Sequence, residues 1–205
     1  MRIAQPFAFT PDNIRAKLAQ APQPGEINPF PASILSASPR PAAVLVPILQ
    51  KPDGWHLLYI RRTRVERDVH SGQVAFPGGS SDPADSSPRQ TALREANEEI
   101  GLPIYRTEVL GCLPRFRTIS NYIVTPVVAH IPWPFEIRLS RGEVSRVFTI
   151  PLDWLAVPSN REVRRRVLVD GRTIPVVYFR PYDGEVVWGA TARITLAFLQ
   201  QAGLA

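Results

Sequence analysis

Two long runs of apolar and β-branched residues begin the main body of the chain, and they predict a β-hairpin. The runs "AAVLVPIL" (42–49) and "WHLLYIRRT" (55–63) are separated by "KPDG" (51–54), which is a strong turn signal. Similar patterns predict further strands at 105–113, 122–131, 165–169 and 173–179. A tight turn at Asp170-Gly171-Arg172 is expected to join the last two strands as a second hairpin.

Three stretches have helical patterns. Thr10 before Pro11 is a good helix start, because a hydroxyl can cap the first turn, and the helix is expected to run to about Gln20. Longer helices are predicted at 88–101 and 189–202, the first ending where Gly101 can adopt a left-handed conformation. Strands that surround two helices predict a mixed α/β layered fold.

The stretch between the first helix and the first hairpin has a different composition. Residues 21–41 are rich in Pro, Ser and Ala, which predicts an extended arm laid over the domain or reaching another subunit. We therefore divide the chain into an N-terminal helix and arm, residues 1–41, and one domain, residues 42–205. A chain of 205 residues with 44% apolar residues is long enough for one core.

Apolar runs also bear on location. The longest is 42–49, far below the roughly 18 residues that a membrane helix needs. The N-terminus has Gln5 and Pro6 where a signal peptide would be continuously apolar. We expect a soluble cytoplasmic protein with no membrane partner, as a monomer or homodimer.

Charge and cysteine content narrow the chemistry. The net charge of +6 comes almost wholly from arginine and favours anionic ligands, such as nucleotides, phosphorylated cofactors or nucleic acid. A GC-rich genome would also produce this abundance of Arg, Ala and Pro, so charge alone does not select a function. The single Cys112 excludes an internal disulfide and a cysteine-based zinc site, and we expect it to fill the core.

The stretch "LREANEEIGL" (93–102) places Glu95, Glu98 and Glu99 on about one helix face. Each like-charged pair costs about 0.2–0.5 kcal/mol, which an ordinary acidic surface tolerates. The upstream loop "FPGG" (76–79) changes this interpretation, because its glycines let backbone amides approach an anion closely. Magnesium takes carboxylate oxygens and keeps positions for water and phosphate. The combination indicates metal-assisted hydrolysis of a phosphoanhydride, with a spare carboxylate accepting the proton of the water.

These residues resemble the Nudix hydrolases, whose box is G, five residues, E, seven residues, then R-E-U-x-E-E-x-G-U, with U apolar. "REANEEIGL" (94–102) fills the second half of that box. In the first half the expected Glu falls on Ser86, while Asp85 lies six residues after Gly79. The branch of the family that cleaves coenzyme A is similar in having an Asp and one extra residue here. It also carries a close equivalent of "HSGQVAFPGG" (70–79) and stretches similar to 121–131 and 188–194.

The resemblance implies a Nudix α/β/α sandwich with a mixed β-sheet and a catalytic loop-helix-loop. It implies Mg²⁺- or Mn²⁺-dependent cleavage of the diphosphate of coenzyme A, and possible cleavage of its thioesters, into 3′,5′-ADP and 4′-phosphopantetheine. Glu95 and Glu99 would be the principal metal ligands, and Glu98 would support the metal or help to activate water. Arg94 would orient a carboxylate. In the glycine loop, Gly78 and Gly79 would bring the backbone close to substrate, and Gly79 would lend its carbonyl or permit the turn.

Four more side chains are candidates for contact with substrate. His70 and Gln73 belong to the stretch shared with the coenzyme A branch. Arg62 and Arg64 follow a predicted strand, whose alternation would point them to one side, and a guanidinium grips phosphate in a forked geometry. These arginines could meet the 3′-phosphate that distinguishes coenzyme A from simpler dinucleotides, or else they are solvated edge residues that discourage aggregation.

Glu143 lies where Nudix enzymes often place a distal acid. It is a candidate second base or metal neighbour, or else a surface carboxylate before a short helix. His56 and His130 lie within strand patterns, and we predict that neither is catalytic.

Two other functions stay open at this point. The substrate could be ADP-ribose, a dinucleotide or a nucleoside triphosphate, or the chain could be a non-catalytic module that binds nucleotide or RNA. The run "REVRRRV" (161–167) suggests nucleic acid, but it leads into a hairpin and lacks interleaved aromatic residues. We therefore predict a charged strand edge there and a small-molecule substrate.

Overall fold

The computed structural model describes residues 9–20, 26–27, 35, 38–64, 71–168 and 171–205. Within these residues the helices are α1 (Pro11–Gln20), α2 (Pro88–Ile100), α3 (Leu152–Ala156) and α4 (Gly189–Ala202). The strands are β1 (Glu26–Ile27), β2 (Arg40–Lys51), β3 (Gly54–Arg62), β4 (Val74–Ala75), β5 (Gly78–Ser80), β6 (Glu108–Cys112), β7 (Arg115–Arg117), β8 (Tyr122–His130), β9 (Val144–Pro151), β10 (Arg161–Val167) and β11 (Thr173–Phe179). Strands β1 to β9 form one mixed sheet, and β10 and β11 form a separate antiparallel hairpin.

The predicted first hairpin is confirmed. Strands β2 and β3 pair antiparallel around the turn at 52–53, and β2 also pairs in parallel with β8 over residues 40–48. Because β2 is buried for most of its length, its sequence is a continuous apolar run and not an alternating one. The strand begins at Arg40, two residues before the boundary that we predicted for the domain.

The glycine segment, residues 74–80, contains β4 and β5 and lies inside the sheet, where β2 and β3 separate. Strand β4 pairs with the end of β3, and β5 pairs with the start of β2. Gly78 has φ +154°, and a Cβ built on it would lie 2.4 Å from the carbonyl oxygen of Ala43. Only glycine fits this approach, so the backbone of the segment is held directly against β2.

Helices cover both faces of the sheet. On one face, Ala92, Ala96 and Ile100 of α2 pack in a cluster with Leu45 and Ile60. On the other face, α4 and α1 pack with the opposite side chains of the same strands, in a cluster that contains Phe198, Ile14, Ile48 and Tyr59. The predicted α/β/α sandwich with a mixed sheet is confirmed.

The predicted helix ends are confirmed by their caps. The Oγ of Ser87 accepts the N–H of Gln90 at 3.3 Å, and α2 ends at Gly101 in the left-handed conformation. At α1, the N–H of Asn13 donates to Oγ1 of Thr10 at 3.3 Å. None of the helices in the described ranges is long and apolar enough to cross a bilayer.

Two strand predictions were partly wrong. Residues 104–106 form a 3₁₀ turn, so the strand predicted at 105–113 begins only at Glu108. The second strand of the final hairpin was correct, but the first covers 161–167 and not 165–169, so "REVRRRV" is itself a strand. Asp170 of the predicted turn lies outside the described residues.

Strand β9 was not predicted. It pairs with β3 along its length, although its sequence mixes polar and apolar positions. The polar positions are satisfied by distant partners: Thr149 accepts a hydrogen bond from Lys51, and Arg146 pairs with Glu185. Glu143 therefore precedes a strand, and the short helix that we expected directly after it begins only at Leu152.

The predicted N-terminal arm falls mostly outside the described residues. Its residues 26–27 pair in parallel with Arg115 and Phe116, so this part of the arm does lie along the sheet. Ile14 and Leu18 of α1 are buried in the same cluster as α4, so the first helix packs into the main core. Cys112 is partly buried against the cluster on the α2 face.

Candidate active site

The acidic face of α2 lies against the glycine segment. Ala92, Ala96 and Ile100 are buried, and the helical period turns Glu95 and Glu99 towards β5. The N–H of Gly78 donates to the Glu99 carboxylate at 2.9 Å, and a Cβ built on Gly79 would lie 2.6 Å from Glu95 Oε2. The structure thus brings together the two stretches that the sequence singled out, 76–79 and 94–102.

Glu99 is the most deeply buried of the three glutamates, with only 2% of its surface exposed. Burial raises the pKa of its carboxyl to about 8, although the Gly78 N–H and the charge of Arg62 act in the opposite direction. The charges of Glu95 and Glu143 raise this pKa further. A metal-free protein therefore keeps this carboxyl largely protonated near neutral pH, and a cation that binds it would release the proton.

Glu95 and Glu98 share one cationic partner. The Nη1 of Arg94 lies 2.9 Å from Glu95 Oε1 and 3.0 Å from Glu98 Oε2. Burial raises the pKa of Glu95 in spite of this contact. The Glu98 side chain is 56% exposed, so it is the glutamate of the three that water reaches most easily.

Arg94 is itself held by Asp85. Its Nε and Nη2 donate to the two Asp85 oxygens at 3.1 and 2.9 Å, and Nη2 also donates to the Ser80 carbonyl at 3.2 Å. The Asp85 side chain is 2% exposed, and Arg94 holds the pKa of its carboxyl well below the usual range. Asp85 is therefore an anchor for Arg94, while Ser86, at the position expected for the first glutamate, hydrogen-bonds to Gln90.

Glu143 lies near Glu95 and Glu99, although it belongs to a different segment of the chain. It is exposed in the turn before β9, and its carbonyl accepts the N–H of Thr63 at 2.8 Å. Its charge raises the pKa of both Glu95 and Glu99, so it lies close enough to act on these carboxyls. This position fits a second base or a metal neighbour.

The predicted substrate residues surround the end of β3. Arg62 lies close enough to Glu99 for its charge to lower the pKa of that carboxyl, and its N–H donates to the Gln73 carbonyl at 2.9 Å. Because β3 ends at Arg62, strand alternation no longer decides the direction of Arg64. The Arg64 side chain instead packs against Gly72. His70 lies outside the described residues.

The sequence reasoning missed a buried acid next to this region. Glu185 is 4% exposed, and Arg61 Nη1 donates to both of its oxygens at 3.1 Å, while Arg146 Nη1 donates at 3.0 Å. The only sign of this buried acid in the sequence was its position between the turn residues "YDG" (182–184) and the apolar residues "VVW" (186–188). Nearby, Thr191 donates to the Val74 carbonyl at 3.1 Å, which ties the start of α4 to the glycine segment.

The two histidines in strand patterns lie at the far end of the sheet. Nε2 of His56 is 3.1 Å from Asp53 in the β2–β3 turn, and His130 ends β8 at 3.8 Å from Glu108. That neither histidine is catalytic stays a prediction.

The chemistry of the site fits a hard divalent cation. In the described part of the chain, no three acidic, histidine or cysteine side chains converge closely enough to hold an ion as they stand. Two carboxyls with raised pKa values nevertheless lie against the same glycine segment, Glu99 bonded to the Gly78 N–H and Glu95 packed at Gly79. Oxygen donors of this kind suit Mg²⁺ or Mn²⁺.

Comparison with known proteins agrees with this geometry. The model of the NUDIX domain family matches residues 39–171. A Nudix hydrolase of Photorhabdus laumondii, NudL, described as uncharacterized, is 41% identical over 176 residues, which are 84% of this chain and 90% of the relative. The NudL protein of Escherichia coli K12, with the same description, is 38% identical over 175 residues, or 80% of this chain and 84% of the relative.

The crystal structure of RenU, a Nudix hydrolase from M. smegmatis, superposes with a TM-score of 0.48 at 25% sequence identity, over 57% of this chain and 73% of that one.

Proposed function

The chain belongs to the NUDIX domain family, and from this premise we propose that it hydrolyses the diphosphate of coenzyme A to 3′,5′-ADP and 4′-phosphopantetheine, using Mg²⁺ or Mn²⁺. The observation that carries the proposal is the hydrogen bond between Gly78 and Glu99. It joins the stretch that resembles the coenzyme A branch, 70–79, to the glutamate helix in one site. The proposed substrate is a small molecule, in keeping with the Nudix hydrolases that this chain resembles.

Glu95 and Glu99 would hold the metal, and Glu98 would support it. When bound, a divalent cation neutralises the charge on the diphosphate and lowers the pKa of a coordinated water. Arg94 fixes Glu95 and Glu98 in position through its contacts with both. Glu98 is exposed enough to accept a proton from water, and Glu143 is the second candidate for that role.

The substrate would lie over the end of β3 and the glycine segment. Gly78 and Gly79, which carry no side chains, let this backbone pack directly against β2 and the Glu95 carboxylate, and it would form one wall of the substrate site. Arg62 supplies positive charge beside Glu99, and Arg64, Gln73 and His70 are the other proposed contacts.

The substrate assignment is tested by turnover on a panel. Purified protein with Mg²⁺ or Mn²⁺ is given coenzyme A, dephospho-coenzyme A, ADP-ribose, a dinucleotide and a nucleoside triphosphate, and products are separated by chromatography. We expect kcat/KM for coenzyme A to exceed that for dephospho-coenzyme A by about tenfold or more, equivalent to about 1.4 kcal/mol. If kcat/KM is higher for ADP-ribose, a dinucleotide or a triphosphate, that compound would replace coenzyme A as the proposed substrate. The proposed metal-dependent hydrolysis of a phosphoanhydride would stand. Absence of any metal-dependent turnover, with salt-sensitive RNA binding, would favour the non-catalytic module.

The role of Asp85 gives a further prediction. Asp85→Asn should lower kcat/KM by about 10- to 100-fold with the fold retained, because Arg94 loses its charged anchor and no longer fixes two glutamates. Steady-state kinetics across a Mg²⁺ titration measures the effect. Asp82→Asn is the matched control, since Asp82 is exposed in the same loop and its Oδ1 accepts from the Ala84 N–H, a bond that asparagine can keep. Equal activity of the two variants would remove Asp85 from the site.

A further inference from the structure

A cavity of about 180 Å³ lies beside the glycine segment, on the opposite face of β3 from Glu99. Successive residues of a strand point to opposite faces, so Arg62 approaches Glu99 while Arg61 lines the cavity. Gln73, whose carbonyl is bonded to Arg62, also lines it. Gly78 is five positions after Gln73, so their Cα atoms are at most about 18 Å apart. The cavity therefore lies within about that distance of Gly78, whose N–H contacts Glu99 of the proposed metal site.

The inner wall of this cavity is polar but electrically balanced. Glu185 is 4% exposed and is paired with Arg61 and Arg146. Arg146 also pairs with Asp183. Because these arginines are occupied by acids of the same chain, the charge that would attract an anion to the cavity must come from elsewhere.

That charge is supplied by the β10–β11 hairpin. Trp188, which lines the cavity, stacks on Tyr178 with ring centroids 5.5 Å apart and planes 5° apart. The Arg166 guanidinium lies 5.3 Å from the centre of the Trp188 ring. Arg164 lies in the same way over Tyr178, at 4.7 Å.

The two arginines differ in one respect. Nε of Arg164 donates to Glu162 at 2.6 Å, whereas Arg166 has no ion pair with any residue in the described part of the chain. Arg166 is thus an exposed cation, without an ion pair among the described residues, that packs on Trp188, a residue of the cavity lining, although Arg166 does not line the cavity itself. "REVRRRV" lacks aromatic residues of its own, but the fold brings Tyr178 and Trp188 to it from β11 and from the residue before α4.

We propose that Arg166, held over Trp188, binds a phosphomonoester on the nucleoside end of the substrate, which in coenzyme A is the 3′-phosphate. This inference rests on the proposed function for the identity of the substrate. A guanidinium grips a phosphate through two parallel hydrogen bonds, and the aromatic face limits the directions it can take. Arg62, beside Glu99, then binds the diphosphate. The diphosphate and the phosphomonoester are thus bound on opposite faces of β3.

The size of the cavity agrees with the binding of one part of the substrate and not of the whole molecule. Pockets that enclose a whole drug-sized ligand have about 300–1,000 Å³. A cavity of about 180 Å³ holds only a part, such as a ribose phosphate, and leaves the rest of the molecule over the glycine segment.

The test compares Arg166→Ala with Arg164→Ala, a matched change on the same face of the same strand. Kinetics are measured with coenzyme A and dephospho-coenzyme A. We expect Arg166→Ala to raise KM for coenzyme A by about tenfold and to bring the ratio of the two kcat/KM values close to one, with dephospho-coenzyme A unaffected. Arg164→Ala should keep the wild-type ratio. An unchanged ratio in Arg166→Ala, or a ratio lost in Arg64→Ala instead, would overturn the assignment.

Binding separates this inference from the proposed function. Calorimetry with 3′,5′-ADP and with 5′-AMP needs no turnover, and circular dichroism checks that each variant is folded. We expect Arg166→Ala to weaken 3′,5′-ADP binding by about tenfold and to leave 5′-AMP binding unchanged. If the wild type does not hydrolyse coenzyme A but this pattern holds, the proposed function fails and the phosphate site stands. Equal binding of 3′,5′-ADP by wild type and Arg166→Ala refutes the phosphate site, whatever the enzyme hydrolyses.

Discussion

Glu99→Gln is expected to lower kcat by about three orders of magnitude or more while the protein stays folded, a loss of about 4 kcal/mol of transition-state stabilisation. Glu99 is buried against Gly78, and glutamine keeps an oxygen that can accept the Gly78 N–H. What the substitution removes is the negative charge that would hold a divalent cation. Single-turnover kinetics, with saturating Mg²⁺ and with enzyme in excess over coenzyme A, measures the rate of the chemical step apart from product release.

An exposed glutamate that has no part in the proposed site provides the control. Glu136→Gln changes a side chain whose partner among the described residues is Arg138, and it should leave kcat at the wild-type value. A Glu99→Gln enzyme with near-normal kcat would show that Glu99 is no metal ligand.

The same variant has a second readout in the metal-free protein. The pKa of Glu99 is about 8 in the folded state because of burial, against an ordinary value of 4.5. Between these values the folded protein binds the proton more tightly than the unfolded chain, so the free energy of unfolding should fall by a few kcal/mol at most as pH rises from about 5 to 8. Urea unfolding in a chelator measures this slope, and Glu99→Gln should flatten it. If the free energy of unfolding depends on pH equally in Glu99→Gln and in the wild type, the Glu99 carboxyl does not have a raised pKa in the folded protein.

The parts of the fold that depend on nearby residues were predictable from sequence. Helix α2 begins at the Ser87-Pro88 pair and ends at Gly101, and each of these signals acts within one turn of the chain. The shared face of Glu95 and Glu99 follows from the helical period alone. The position of the glutamate helix could therefore be predicted, together with the hairpin beside it.

Features that depend on distant residues could not be predicted in this way. Glu185 is buried because Arg61 and Arg146, 124 and 39 residues away, neutralise it, and its local sequence looks like an exposed turn. Strand β9 was missed for the same reason, since its polar positions are satisfied across the sheet. The sequence identified Asp85 as a displaced acid but left its role open, because its contact with Arg94 depends on a turn in which Asp82 and Asp85 bond to each other.

Gly78 and Gly79 are adjacent, yet alanine should act differently at each. At Gly78 a Cβ would lie 2.4 Å from the Ala43 carbonyl oxygen and 2.6 Å from the Val44 Cα, and φ is +154°. Backbone atoms of a buried strand cannot move aside easily, so Gly78→Ala should lower the free energy of unfolding by about 3 kcal/mol or more, from overpacking and backbone strain together. Urea unfolding measures this loss.

At Gly79 the three atoms nearest to the Cβ would all belong to the carboxylate of Glu95, at 2.6–2.7 Å. A flexible side chain can rotate away, so Gly79→Ala should stay nearly as stable as the wild type. Glu95 is then displaced by about 1 Å, a misplacement that can cost about 100-fold in rate, so kcat/KM should fall by that factor and apparent Mg²⁺ affinity with it. Stability lost equally in both variants would mean that Glu95 is rigidly packed. Full activity in Gly79→Ala would mean that Glu95 does not hold the metal, which would leave Glu99 as the principal ligand.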